Sequence, residues 1–446
     1  MSRASQRVLL SLPTGIAARN FFQSGLVDAL LALPEVELSI VCPDKTEKIY
    51  ESWTNKGVIF RRDLHRKNNI IFRLMLYVQR RRFYRVKPTK SSEIIRRAPL
   101  FRSFGHILGP LFSHPFPRSA LVLRALEGLC FCLGKLWYGA LGRKVKAGFD
   151  TVILSHPTDS KEFYLKMAAK SAKLKTVGCI KSFDNLSTKG YIFPIDDHYL
   201  VWNQIMLEEL GNLHGINADR VSVIGVLQFD SYFRQGGYSS PLCDTGKQKK
   251  PLRVLYAGSP PMITPDDPNI VAALSARFEQ HEIDLRVRLH QMDDAARWSS
   301  NSDVKFSSGS PSVGPTFEKI AASKHISELH EDLAWADVVI VTCSTMMLDA
   351  TCMSKPVINV GFNYPIKRPY SASVSRFYEF DHYAEVMRSP LCNFTTTIDE
   401  LLDYLADINQ LNSKVLEFRE DLLDRYVPFR DGGTAGRFVD AVRKLH

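Results

Sequence analysis

The sequence predicts an α/β protein of two halves of similar size that face each other across a cleft, and three observations carry that prediction. Short apolar runs rich in β-branched residues alternate with segments of helical composition, the pattern of parallel strands joined by crossover helices. The alternation lapses once, over residues 230–250, where Gly, Ser, Pro and Lys dominate and no apolar period survives; this reads as a linker. Residues 335–360 then show the repeating unit plainly. A strand ends at Val341, Ser344 and Thr345 stand where a helix N-cap belongs, residues 346–353 have helical composition, and Lys355-Pro356 stops the helix before strand 357–360.

With 446 residues the chain is too long for one ordinary core, and about two domains are expected. Hydrophobic and charged contents of 45% and 24% are those of a globular protein. Val8-Leu9-Leu10 runs straight into Pro13 and Gly15, so no secretory signal is read at the N-terminus. The 8 cysteines are scattered without paired metal-ligand spacing, which points to a reduced, cytoplasmic protein without structural zinc.

The net charge of +11 is concentrated. Residues 61–102 hold 14 Lys and Arg against 2 acidic residues, whereas the rest of the chain carries 44 against 45. Ile70, Ile71, Phe72, Leu74, Tyr77 and Phe83 lie among these arginines, and the apolar, aromatic stretch 99–141 follows. This is the composition of a surface that rests on anionic lipid, so the insertion at about 61–141 is expected at a membrane interface. Residues 119–141 approach the length of a membrane span, but Arg124, Glu127 and Lys135 interrupt them; they are read as lying near the membrane or as core helices. No nucleic-acid-binding module accompanies the basic run, and no nucleic-acid partner is expected.

Taken in order, the chain opens with a strand at 8–12, a loop at 13–20, a helix at 21–33 and a strand at 37–41. Gly15 allows close backbone approach there, and Arg19 and Asn20 offer donors. No GxGxxG spacing is present, which disfavours a dinucleotide-dependent dehydrogenase. After the insertion, strand 151–154 ends at His156, helix 160–172 follows, and strand 175–180 leads into the polar loop 181–190. Strand 198–202, helix 204–213 and strand 221–225 complete the first half. In the second, strand 252–257 ends at Gly258-Ser259, helix 270–280 follows, and strand 283–290 ends at Arg288-Leu289-His290. Helices are expected at 398–408, 414–426 and 434–445.

A helix that starts just beyond a parallel strand aims unpaired N–H groups at whatever lies past the strand end, and phosphate is the natural guest. Ser344 and Thr345 add hydroxyls there, and Asp349, about one turn on, can accept from ribose or sugar hydroxyls. Each residue also has a purely structural reading: Ser344 as a cap, Asp349 as a solvated helix charge, Asp184 as an Asx-turn residue, His156-Pro157 as a turn and His290 as a strand-end histidine.

Several segments resemble the GT-B superfamily, in particular bacterial surface-polysaccharide glycosyltransferases, CDP-glycerol glycerophosphotransferases and UDP-GlcNAc 2-epimerases. Residues 336–350 with the strand at Lys355–Ile358, Arg288-Leu289-His290, and Asp431-Gly432 with Arg437 are similar to segments of the C-terminal half of that group. SFDNLSTKG at 182–190 and VIGVLQFD at 223–230 are similar to segments of the N-terminal half. The resemblance covers about 8–50 and 150–446 and leaves the insertion unmatched.

The resemblance implies two Rossmann-like α/β/α domains about a central cleft: an acceptor domain at 1–235, a nucleotide-donor domain at 251–430, and a C-terminal helix at 431–446 that crosses back. It implies donor phosphates on Arg288, Gly258, Ser259, Ser344 and Thr345, with Asp349 on hydroxyls and His290 assisting the leaving diphosphate. Asp184 is the first choice for the base and His156 the second, with Gly15, Arg19, Asn20, Asn185 and Lys189 on the acceptor side. The implied activity is sugar transfer from a nucleotide sugar to a lipid-linked or glycan acceptor in bacterial envelope polysaccharide, without metal or cofactor, on the inner face of the cytoplasmic membrane. Polyol-phosphate transfer from a CDP-linked donor, 2-epimerisation and a non-catalytic scaffold are the alternatives.

Overall fold

The computed structural model describes residues 6–43, 50–67, 69–97, 120–234, 251–278, 282–298, 304–307 and 325–445. Most of the expected linker (235–250) and part of the aromatic stretch (98–119) lie outside the described residues.

Among the described residues thirteen strands form two sheets whose ladders are all parallel. In the first, β1 (Gln6–Ser11), β2 (Val36–Val41), β3 (Ile59–Phe60), β4 (Thr151–Leu154), β5 (Lys175–Cys179), β6 (His198–Val201) and β7 (Val221–Val223) lie in the order 3-2-1-4-5-6-7. In the second, β8 (Leu252–Ala257), β9 (Ile283–Arg288), β10 (Lys305–Phe306), β11 (Val338–Val341), β12 (Val357–Val360) and β13 (Asn393–Thr395) lie in the order 10-9-8-11-12-13. Each order reverses once, between β1 and β4 and between β8 and β11. Ligands of doubly wound sheets bind beyond the strand carboxyl ends at such a reversal.

Helices cover both faces of each sheet. On one face of the first sheet, helices Gly15–Gln23 and Leu26–Leu31 share a core with the C-terminal helix Thr434–Arg443, whose Phe438 meets Phe21 edge-on at 6.1 Å. The chain therefore ends packed on the half in which it began. The opposite face is covered by helices Phe163–Ser171, Ile70–Val86 and Ala120–Gly148. The last of these packs closely because Gly142 faces the Ala168 carbonyl, where an added Cβ would stand 2.5 Å away. Half of the apolar stretch read from the sequence is thus a core helix. Its outer stripe, with Leu129, Leu136 and Trp137, is exposed. Among the described residues no helix is long and apolar enough to cross a membrane.

The opening loop differs from expectation. Thr14 Oγ1 accepts from the Ala17 N–H and starts a helix at Gly15, so Arg19 and Asn20 are helical and not in a loop. Gly25, at φ +80°, then divides what reads in the sequence as one helix over 21–33.

Candidate active site

The carboxyl ends of the two sheets face each other across a cleft of about 400 Å³. The N-terminal face comprises Ile16, Arg19 and Asn20 from the first helix, Lys181, Ser182, Asp184, Asn185 and Lys189 beyond β5, and Gln228 and Tyr232 beyond β7. The C-terminal face comprises Gly258, Arg288, Leu289, His290, Gln291, Ser344, Thr345, Met346 and Asp349, with Ile326 and Leu329 of helix His325–Trp335 at its side. Cys343, in the left-handed region at φ +39°, turns the chain from β11 into helix Met346–Cys352, and its N–H donates to the Tyr378 hydroxyl at 3.0 Å.

Two guanidinium groups approach from opposite domains. Arg19 is 6% exposed; its Nε and Nη2 donate to Asn20 Oδ1 at 3.1 and 3.0 Å, and Asn20 Nδ2 donates to Gln228 Oε1 at 2.9 Å. Among the described residues its Nη1 has no partner. Burial, and after it the charge of Arg288, bring its pKa down to about 10. Arg288 is buried and donates through Nη1 to the buried Asp332 carboxylate. Asp332 offsets one of the two charges, so the two guanidiniums and this carboxylate leave one net positive charge in the cleft.

No protein-family model matches the chain, and neither does any curated relative. Solved structures resemble it along nearly its full length. The S. aureus MnaA–UDP co-structure is 12% identical over 99% of this chain and 96% of that one, with a TM-score of 0.53. A putative UDP-N-acetylglucosamine 2-epimerase from Listeria monocytogenes is 13% identical over 99% and 97%, at 0.52. The UDP-GlcNAc 2-epimerase from Neisseria meningitidis bound to UDP-GlcNAc is 10% identical over 98% and 100%, at 0.51. Two parallel, doubly wound sheets meeting end to end across a cleft complete the comparison. The chain has the GT-B fold.

Within the GT-B cleft, Asp349 sits at the floor, and its Oδ1 accepts from the Tyr232 hydroxyl at 2.8 Å. Burial pushes its carboxyl up to about 7 against the opposing pull of Tyr232, Arg288 and Arg19, so it is poised between acid and base near neutral pH. Asp184 lies across from it. Burial alone would raise this carboxyl, but Lys189, 3.3 Å away, and neighbouring donors hold it well below the usual range. Asn185 Nδ2 donates to Asp184 Oδ1 at 2.9 Å. Asp184 is therefore ionised throughout the working pH range, a steady acceptor but a weak base.

His290 lines the GT-B cleft as a neutral imidazole. Burial lowers it to about 4, and its Nδ1 accepts from the Met292 N–H at 3.0 Å, which leaves the proton on Nε2. It can donate a hydrogen bond to a leaving oxygen, but at neutral pH it is not the cation expected of an acid. Ser344 and Thr345 line the cleft; Ser344 Oγ accepts from the Met346 N–H at 3.2 Å, whereas Thr345, at the N-cap position, makes no side-chain cap.

Three expected residues do not line the cleft. His156 is buried away from the cleft, and the buried Glu162 carboxyl group takes the main-chain N–H groups of both Ser155 and His156. The Ser259 hydroxyl donates to the Thr342 carbonyl at 2.8 Å and is spent there. Gly15 begins the first helix, and Ile16 takes the place at the cleft. Conversely, Lys181, Gln228 and Tyr232 line the cleft, and Asp332 holds Arg288, though none is among the residues expected from the sequence. Lys181 and Gln228 lie in segments that follow strands, which was the available signal; Asp332, inside a helix, carried none. Among the described residues no cluster of three or more His, Cys, Asp or Glu could hold a metal ion.

Proposed function

We propose that this chain is a glycosyltransferase that moves a sugar from a nucleotide-activated donor to a lipid-linked or glycan acceptor in the assembly of bacterial surface polysaccharide, such as lipopolysaccharide, O-antigen or capsule. The observation that carries the proposal is Arg19 facing Arg288 across the cleft. Breaking a glycosyl–phosphate bond requires stabilisation of charge on the leaving diphosphate, and two oriented guanidiniums with the His290 Nε2–H supply it without a metal; the Gly258 N–H is taken by the Arg288 carbonyl at 2.9 Å. This moves Arg19 from the acceptor to the donor role.

In the reaction, an acceptor oxygen bonds to the anomeric carbon while the bond from that carbon to the diphosphate oxygen breaks and its electron pair leaves with the nucleotide. Asp184 orients the acceptor hydroxyl and takes its proton late, once bond formation has made that proton acidic, so a weak base suffices. Asp349 receives ribose or sugar hydroxyls, accepting as a carboxylate or donating as an acid.

The acceptor is reached from a lipid surface. Ile70, Ile71 and Leu74 are exposed at the start of helix Ile70–Val86, beside exposed Leu136 and Trp137; the Phe72 and Trp137 rings stand 6.5 Å apart. Arg66, Lys67, Arg73 and Lys135 are exposed around them. An apolar patch ringed by cations fits an anionic head-group layer, which supports a peripheral place on the inner face of the cytoplasmic membrane.

The test is a thermal-shift screen against UDP, GDP, CMP, CDP and dTDP. A nucleotide held only by the folded state adds about 2.7 kcal/mol at a hundred times its Kd. One nucleotide raising Tm selectively, followed by its release from the matching sugar donor in the presence of a lipid-linked acceptor, supports transfer. Conversion of a free UDP-sugar with no acceptor assigns the chain to epimerisation, CMP release from a CDP-polyol assigns it to polyol-phosphate transfer, and silence with every nucleotide favours a scaffold.

A further inference from the structure

The basic insertion grips both sides of the cleft. Helix Ile70–Val86 carries the exposed apolar residues at its N-terminal end; about 15 Å along its axis, Arg80 Nη2 and the Tyr84 hydroxyl both donate to the Thr188 carbonyl at 2.8 Å. Thr188 Oγ1 in turn donates to the Asp184 carbonyl at 2.6 Å and lies 3.2 Å from Asp184 Oδ2. The loop that presents Asp184 and Lys189 is thus held from behind by the insertion.

The second insertion helix, Lys90–Arg97, reaches the opposite domain. The Asp381 carboxylate, at the head of helix Asp381–Met387, accepts from the Ser91 N–H at 2.7 Å, the Ser91 hydroxyl at 2.6 Å and the Lys90 N–H at 3.3 Å, while the Asp381 N–H donates back to Ser91 Oγ at 2.9 Å. A carboxylate on the first N–H groups of a helix caps it and complements its dipole. The next residue, His382, puts Nδ1 3.2 Å from Ser187 Oγ and its ring edge-on to Phe183 at 4.9 Å. The Asp184 loop is therefore clasped between the insertion and the C-terminal domain, and the insertion is bonded to both.

We propose that the insertion is a strap through which an anionic lipid surface holds the cleft closed: lipid contact at Ile70, Ile71, Leu74, Leu136 and Trp137 and the Ser91–Asp381 grip belong to one equilibrium. Opening the cleft separates Asp381 from Lys90-Ser91 and uncaps the second helix, so a surface that favours the ordered insertion favours the closed domains. The linkage is reciprocal. It rests on the lipid-surface part of the proposed function and adds Arg80, Tyr84, Ser91 and Asp381 as positioning residues.

Amide hydrogen exchange of the full chain, with vesicles of phosphatidylglycerol mixed with phosphatidylcholine or of phosphatidylcholine alone, tests it. Anionic vesicles should slow exchange about tenfold in segments 182–190 and 379–387 as well as in the contacting helices. Ser91→Ala with Asp381→Asn should bind the same vesicles within about twofold and keep protection of helix Ile70–Val86, yet lose the slowing at 379–387. Tyr84→Phe, which removes one hydroxyl, should lose it at 182–190 alone and decides the matter if the double variant fails to fold. Vesicle binding without slowing at either segment, or equal slowing in the variants, overturns the strap and leaves the lipid-surface reading standing. No binding to anionic vesicles overturns both.

Discussion

The Tyr232 hydroxyl donates to Asp349 Oδ1 at 2.8 Å, joining helix Asp230–Phe233, which occupies the start of the segment read as the linker, to the helix that follows β11. The same short helix is tied the other way by Asp230, whose carboxylate accepts from the Thr434 N–H at 2.9 Å and from its hydroxyl. A bond to the cleft floor is thus set by residues at the hinge, and the acid–base state of Asp349 is bound up with how the domains sit.

Because burial raises the Asp349 carboxyl to about 7, the folded state keeps a proton that the unfolded chain gives up near pH 4 (about 3.9 for a free Asp). Its contribution to stability is whole below that value and is lost as pH rises through 7. Asp349→Asn mimics the protonated acid and removes this loss, so its stability relative to the parent should climb with pH by up to about 1.4 kcal/mol per unit. Urea unfolding at a series of pH values checks this, since Glu162 and Asp267, also raised, titrate alike in both proteins. A constant gap would mean that Asp349 titrates as an ordinary carboxyl. Tyr232→Phe removes a donor that lowers the pKa and should shift the window upward.

Arg19→Met should separate stability from binding. It replaces a buried guanidinium that has an unsatisfied Nη1 with an apolar side chain of similar reach, so the melting temperature of the empty protein should hold or rise. The nucleotide-dependent shift should shrink, with affinity falling by about 1.5–3 kcal/mol, the range for a hydrogen bond to a charged group. A fall in the empty protein's stability with binding intact would make Arg19 a structural residue.

Arg288→Ala is expected to fail for a reason unrelated to chemistry. It strands the buried Asp332 carboxylate, and breaking such a pair costs about 3–5 kcal/mol. Arg288→Lys keeps the charge on Asp332 while losing the planar fork, so nucleotide affinity should drop with most of the stability retained. Chemical denaturation of both variants beside a nucleotide titration reads the two effects separately.

Leu136→Glu with Trp137→Glu alters side chains that are 82% and 60% exposed, so the fold should change by less than about 1 kcal/mol. Co-sedimentation with anionic vesicles should fall steeply, and binding by the parent should weaken with added salt. Unaltered sedimentation would remove the patch from the lipid contact.

Periodicity and turn chemistry made much of this architecture legible. The predicted strand at 252–257 matches β8 residue for residue, and the helix after β11 ends at Cys352, with Ser354 in the left-handed region at φ +55°, just before Lys355-Pro356. The strand end at Val341 accordingly pointed to Ser344, and the GT-B resemblance to Arg288, His290 and Asp184, as cleft residues. Composition alone also located the insertion and its basic, aromatic character. These are local properties, carried by a few consecutive side chains and the backbone states they favour. Only the tertiary structure decided that His156 is buried away from the cleft, that His290 is neutral with its proton on Nε2, that Arg19 faces Arg288, and that Ser91 grips Asp381. Such facts depend on burial and on partners far apart in the chain, 117 residues for Tyr232 and Asp349 and 290 for Ser91 and Asp381. The desolvation that sets a side chain's charge exists only once the two halves have closed around it.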